Sequence, residues 1–176
     1  MIVISDTGPV ISLLKAEQLD ILKIFGEVII PTAVFEELTF DERFKDEGEK
    51  VKNSNYIRVD TTDVSEEAAA IRLQTGLDYG ESAALALVKM LKPDYFLVED
   101  FKAKKYATEQ NITSIGSLAV LGLAYNKGIL NEDDIVNSIE KMKLAKRRIS
   151  NELYKGFLDS LGINISKNNE KNKDVR

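Results

Sequence analysis

The chain contains no cysteine and no histidine. Without them there is no Ser-His-Asp triad, no thiol nucleophile, no dithiol redox pair and no His/Cys zinc site. Disulfides are excluded as well, so nothing points to an oxidising compartment. Any catalysis falls to carboxylates, amines, hydroxyls and whatever they bind. Carboxylate oxygens are hard ligands, and hard ligands favour Mg2+ or Mn2+. Long apolar runs are missing too: no stretch approaches the roughly 20 apolar residues of a membrane span. The opening run 1–4 is too short for a signal-peptide core, and Asp6 interrupts it at once. The expectation is a cytoplasmic protein with no membrane contact.

What is present is ordinary for a soluble globular chain. The 176 residues suit one domain with a sizeable core, and 44% are apolar against 30% charged. Lys plus Arg number 24 and Asp plus Glu 29, a net charge of −5. That balance argues against gripping nucleic acid by bulk charge alone.

Two kinds of apolar segment alternate. Short β-rich runs fall at 2–4, 28–30, 56–59, 95–98 and, more weakly, 112–115. Helical patterns fall at 10–25, 32–40, 65–73, 81–91, 102–110 and 117–126. Such alternation predicts an α/β fold: a central parallel sheet flanked by helices in three layers, α/β/α. The charged segment 41–55 reads as a surface excursion. Beyond Gly128 the chain becomes purely helical, with Asn131 capping a helix over 132–150 and another following at 151–161. This makes one domain over 1–163 with a helical C-terminal extension, and a polar, frayed tail over 164–176.

Parallel sheets bind ligands at the carboxyl ends of their strands. Asp6 and Asp100 each follow a predicted strand, at that edge. Each has an ordinary explanation as a strand-ending turn or helix cap. On the helix starting near Thr32, Val34, Phe35 and Leu38 define an apolar arc; Glu37 borders it, while Glu36 points away to solvent. Glu81 opens a helix after Gly80, where a first-turn acid complements the helix dipole, and Asp78 just upstream is a cap or a loop acid.

Taken in order, these segments resemble the PIN-domain family. The matching pieces are Ser5-Asp6-Thr7-Gly8-Pro9, the run 28–31 leading to Glu37, Gly80-Glu81-Ser82-Ala83-Ala84, and Leu97-Val98-Glu99-Asp100, spread over about 2–128. Ile115-Gly116-Ser117-Leu118-Ala119-Val120-Leu121 further resembles the VapC-like toxin branch. The resemblance implies a metal-dependent ribonuclease with Asp6, Glu37, Glu81 and Asp100 as metal-ligating and catalytic acids. Thr7 would be a hydroxyl near the first acid, and Ser117 a polar group behind the ligands. The chain departs from the commoner pattern with Gly8 for Asn, Glu81 for Asp, and Glu99 for a Thr or other polar residue. Glu99 reads as an outward spectator. The implied cofactor is Mg2+ or Mn2+ and the implied substrate RNA. The implied partners are a small antitoxin and a second copy of the chain, the latter through Ile11, Leu14 and Leu19.

Substrate phosphates must be met outside the acids. Lys102, Lys104 and Lys105 follow Asp100 and are the expected RNA contacts. A second basic stretch comprises Lys141, Lys143, Lys146, Arg147 and Arg148. Tyr79, Tyr106 and Phe101 are candidates for base stacking, with rim or core packing favoured for Phe101. Two other readings stay open. One is an aspartyl-phosphate phosphoryl-transfer protein using Asp6, or Asp60 as a receiver-like acceptor. The other is an inactive PIN-like module that binds nucleic acid or protein.

Overall fold

The computed structural model describes residues 1–40, 45–147 and 149–164. Five strands, β1 (Val3–Ser5), β2 (Val28–Pro31), β3 (Ile57–Asp60), β4 (Tyr95–Leu97) and β5 (Ser114–Ile115), form one parallel sheet in the order β3-β2-β1-β4-β5. The register pairs Ile4 with Ile29 on one side and with Phe96 on the other. Val3, Ile4 and Ser5 are all fully buried. Successive strand residues face opposite sides, so both faces of β1 are covered, the expected state of a parallel central strand. The expected α/β/α architecture is what the chain adopts.

Among the described residues the helices are α1 (Thr7–Lys15), α2 (Thr32–Phe40), α3 (Lys45–Lys52), α4 (Ser65–Thr75), α5 (Tyr79–Leu91), α6 (Phe101–Glu109), α7 (Ser117–Asn126), α8 (Glu132–Leu144) and α9 (Asn151–Ser160). The α5 helix packs on β1 and β2 and against α2, α4 and α6. Its run Ser82-Ala83-Ala84-Leu85-Ala86-Leu87-Val88 is buried throughout, because small side chains bring its backbone close to its neighbours. The α1 helix packs on α2 and also on α7 and α8, which touch one another.

The helix expected over 10–25 is two elements. Glu17 takes φ +59°, and the N–H groups of Glu17 and Gln18 close on the carbonyls of Leu14 and Leu13. That left-handed residue ends α1. The chain then runs as a 3-10 helix over Leu19–Phe25. Leu19, Leu22 and Phe25 recur every three residues and are all buried, the period of the tighter helix. The helix expected to reach residue 150 stops at Leu144, where Ala145 caps it and Lys146 turns left-handed at φ +59°. Within the charged excursion 41–55, α3 packs on α2, and the expected frayed tail falls outside the described residues except at residue 164.

The α2–α3 contact rests on one glycine. A Cβ on Gly48 would stand 2.6 Å from the Leu38 carbonyl oxygen and 3.0 Å from the Thr39 Cα. Both are backbone atoms and cannot swing aside. Gly48→Ala is therefore expected to cost about 1–3 kcal/mol, a fall of roughly 5 °C in thermal midpoint. Circular-dichroism melting measures it, and an unchanged midpoint would refute the close packing.

Sheet order places the site. From β1 the chain winds outward through β2 and β3, then crosses back to lay β4 on the other side of β1. The carboxyl ends of β1 and β4 thus flank the point where the winding reverses, the usual crevice of an open parallel sheet. Asp6 leaves β1 there, and Glu99 and Asp100 follow β4.

Candidate functional site

Asp6 is 3% exposed, an unusual place for a carboxylate, and the helix it starts explains how it is held. Its Oδ1 accepts the Gly8 N–H at 3.0 Å, capping α1, while its own N–H continues the sheet ladder to the Leu97 carbonyl at 3.0 Å. Burial pushes its carboxyl well above the usual aspartate range, and the charges of Glu81, Glu99 and Asp78 push it further. The Gly8 N–H opposes them.

Three more acids occupy helix N-termini beside it. Asp78 and Glu81 form a reciprocal cap on α5: Asp78 Oδ1 accepts the Glu81 N–H at 2.8 Å, and Glu81 Oε2 accepts the Asp78 N–H at 3.2 Å. Burial raises the Glu81 carboxyl, the Asp78 N–H draws it down, and the charges of Asp78, Asp100 and Glu37 raise it again. Asp100 caps α6, accepting the N–H groups of Lys102 at 2.7 Å and Ala103 at 3.0 Å on Oδ1. The positive ends of α1, α5 and α6 therefore meet carboxylates that would otherwise only repel one another.

Glu37 comes from α2, half-buried, while Glu36 faces solvent as its helical position requires. Thr7 Oγ1 donates to Glu37 Oε2 at 2.7 Å, so this hydroxyl serves Glu37 rather than the adjacent Asp6. A Cβ on Gly80 would lie 2.9 Å from the same oxygen, so Glu37 rests where only glycine leaves room.

Glu99 is not the outward spectator expected. It lines the cleft with both oxygens engaged. Ser117 donates to Oε1, and Oε2 accepts Ser12 Oγ at 3.0 Å and Arg147 Nη2 at 2.6 Å. The strand pattern could not show this, because its partners come from α1, α7 and the link after α8.

All these acids line one cleft of about 1140 Å3, larger than two other surface clefts of about 570 and 490 Å3. Asp6, Thr7, Glu37, Asp78, Glu81, Glu99, Asp100 and Ser117 share it with Lys104, Lys146, Arg147 and Glu152. An apolar wall of Leu118, Ile149, Leu153 and Phe157 completes it. The four acids of the sequence expectation are thus brought to one cavity. Among the described residues, however, no three carboxylates are already drawn together as a metal-holding group. Each acid is instead tied to its own N–H, hydroxyl or guanidinium donor. The donor set suits a hard divalent cation, since it offers carboxylate oxygens whose mutual repulsion such an ion relieves.

The remaining residues singled out in the sequence divide between the cleft and its surroundings. Of the expected RNA contacts, Lys104 lines the cleft, whereas Lys102 and Lys105 are exposed outside it. From the second basic stretch Lys146 and Arg147 line it; Lys141 pairs with Glu17, and Lys143 lies 3.9 Å over the Tyr154 ring. Arg148 lies outside the described residues. Tyr106 is 7% exposed and cannot stack on a base, while Phe101 stands 78% exposed at the rim. Ile11, Leu14 and Leu19 are core residues rather than a free pairing face. Asp60, the receiver-like alternative, caps the far strand: it accepts the Thr62 N–H at 3.0 Å, pairs with Arg58, and does not line the cleft.

Sequence reasoning missed Ser12 altogether. Its signal was a serine inside the apolar run Val10-Ile11-Ser12-Leu13-Leu14, because a buried hydroxyl requires a partner.

A family model described as "DUF3368: PIN domain" matches residues 2–162. No curated protein matches the chain.

Proposed function

The chain belongs to the PIN-domain family, generally nucleases, and from that membership we propose that it is a metal-dependent endoribonuclease with Asp6, Glu37, Glu81 and Asp100 holding the ion. One observation carries this reading. Acids from four separate parts of the chain line the cleft at the reversal of the sheet winding, and Lys104 and Lys146 line it with them. A divalent cation, Mg2+ or Mn2+, would supply electrophilic stabilisation of the phosphate and a more acidic water.

The chain's own side chains do the rest. Lys104 and Lys146 receive substrate phosphates, and Phe101 offers a base-stacking face at the rim. Asp6 lines the cleft, buried and held by the Gly8 N–H on Oδ1. Glu81, half-buried and with its carboxyl raised above the ordinary glutamate value, is placed to take the proton of the attacking water. Water attack forms the new P–O bond as the bond to the 3′-oxygen breaks, and the departing oxygen takes a proton from solvent, leaving a 5′-phosphate and a 3′-hydroxyl.

Labelled structured and single-stranded RNAs incubated with Mg2+, Mn2+ or chelator test the proposal. Cleavage should need metal, yield 5′-phosphate ends, and disappear in Glu81→Gln. Cleavage that survives both chelator and Glu81→Gln would remove the activity from this cleft. Gly80→Ala supplies a finer check. Its Cβ would displace the Glu37 carboxylate and disturb the Thr7 bond. We expect about a 10–100-fold loss of cleavage with the thermal midpoint nearly unchanged, the usual cost of disturbing a ligand's support. Wild-type turnover would contradict a role for Glu37.

On this reading the chain acts in the cytoplasm as the toxin of a toxin–antitoxin pair. The resemblance of 115–121 supports it, as does an apolar wall beside the acids that suits a small partner's occluding segment. A neighbouring short reading frame whose product suppresses cleavage would be the expected companion. Growth unaffected by expression of the chain alone would count against the toxin role.

A further inference from the structure

Arg147 is the cleft residue that the acid pattern leaves without a task. It lies in the link between α8 and α9, where its N–H closes on the Met142 carbonyl at 3.0 Å. From there its side chain crosses to two distant parts of the chain. Nη2 donates to Glu99 Oε2 at 2.6 Å and to the Gly8 carbonyl at 3.1 Å, while Nε donates to Ser12 Oγ at 2.8 Å. The Arg147–Glu99 contact is the ion pair that joins a cation to a cleft acid among the described residues. Both side chains are about three-quarters covered, at 27% and 30% exposure, so solvent only partly screens them.

The two sides of the cleft therefore differ in kind. Asp6, Glu81 and Asp100 accept backbone N–H groups, and Glu37 accepts a hydroxyl. These donors are neutral and leave each acid its negative charge for an ion. Glu99 has already met a permanent cation. A guanidinium does not deprotonate in proteins, and its fork fixes the acceptor geometry. Ser117, Ser12 and Arg147 together occupy three of the roughly four acceptor sites of the Glu99 carboxylate. The contact to the Gly8 carbonyl also ties Arg147 to the turn that Asp6 caps.

We propose that Arg147 is the built-in cation on the Glu99 side of the cleft, withholding that carboxylate from the ligand set so that the site takes a single exchangeable divalent ion. The inference rests on the metal-dependent reading above. Arg147 is a positioning residue that acts through Glu99 and the Gly8 turn.

Calorimetric titration of the metal-stripped full chain with Mn2+ tests this without any activity assay. Wild type and Arg147→Lys should each bind one Mn2+. Arg147→Met should gain a second, weaker Mn2+, because Glu99 loses its counter-cation. Adding Glu99→Gln to Arg147→Met should return the count to one. Glu99→Gln alone keeps the shape and removes the charge, so it serves even if Arg147→Met fails to fold. It should still bind one Mn2+, with an affinity loss smaller than the roughly 10–100-fold that removing a ligand's support costs. Two ions on wild type, an unchanged count in folded Arg147→Met, or a tenfold loss in Glu99→Gln would each overturn the inference. No Mn2+ on wild type would overturn the metal-dependent reading itself, and this inference with it.

Discussion

Asp6→Asn is expected to abolish metal-dependent cleavage while making the metal-free protein more resistant to heat at neutral pH. The two effects have one cause. The Asp6 carboxyl is buried beside other acids, which raises it well above its ordinary value. A group raised on folding contributes stability that is fully present below the unfolded value and is lost as pH rises through the folded one. At neutral pH the native state therefore bears the cost of this acid. Asparagine keeps an oxygen for the Gly8 N–H and has no charge to desolvate. We expect the metal-free midpoint to rise by about 2–4 °C, the shift that 1 kcal/mol produces in a chain of this size. The gain should vanish under acid conditions, below the ordinary aspartate range, where wild-type Asp6 is protonated in both states. Cleavage should fall by at least about a hundredfold, since even an outer support of a metal ligand costs 10–100-fold. A melting point that falls, or an offset that persists at low pH, would sink the electrostatic account.

Saturating Mn2+ should also raise the midpoint of the wild type, and by more. A ligand present at a hundred times its dissociation constant stabilises the native state by about 2.7 kcal/mol, here roughly 5–11 °C. Binding must displace protons from raised carboxyls, Asp6 and Glu81 above all. The Mn2+-induced rise should therefore be large on the alkaline side of neutrality, shrink as pH falls, and reverse on adding chelator. The chain has no histidine, so no imidazole titration overlies that dependence. Melting curves across pH, with and without Mn2+, measure this directly. A midpoint indifferent to Mn2+ at every pH would exclude an ion from the cleft.

Some of the site was legible before any fold was known. Asp6 and Asp100 each follow an apolar strand, and Glu37 borders an apolar helical arc; these are local patterns. Asp78 and Glu81 form a capping box that the three-residue spacing allows. The break at Glu17 was hidden, because the apolar spacing continues past it and only a left-handed backbone residue ends α1. Tyr106 was a stacking candidate as an aromatic near Asp100, yet its place in α6 buries it. Glu99, Ser12 and Arg147 were unreadable as a unit. They lie 87 and 48 residues from one another along their contacts, and no local period links such positions.

The amino-acid content alone decided the kind of chemistry, because a chain without imidazole or thiol must work with oxygen and amine groups. It also decided where strands and helices alternate, since apolar periodicity is a property of neighbouring residues. Which acids share a cavity was decided only by folding. That outcome depends on β4 lying beside β1 and on the α8–α9 link reaching across to Gly8, and contacts between distant segments follow from strand order and packing rather than from any local pattern.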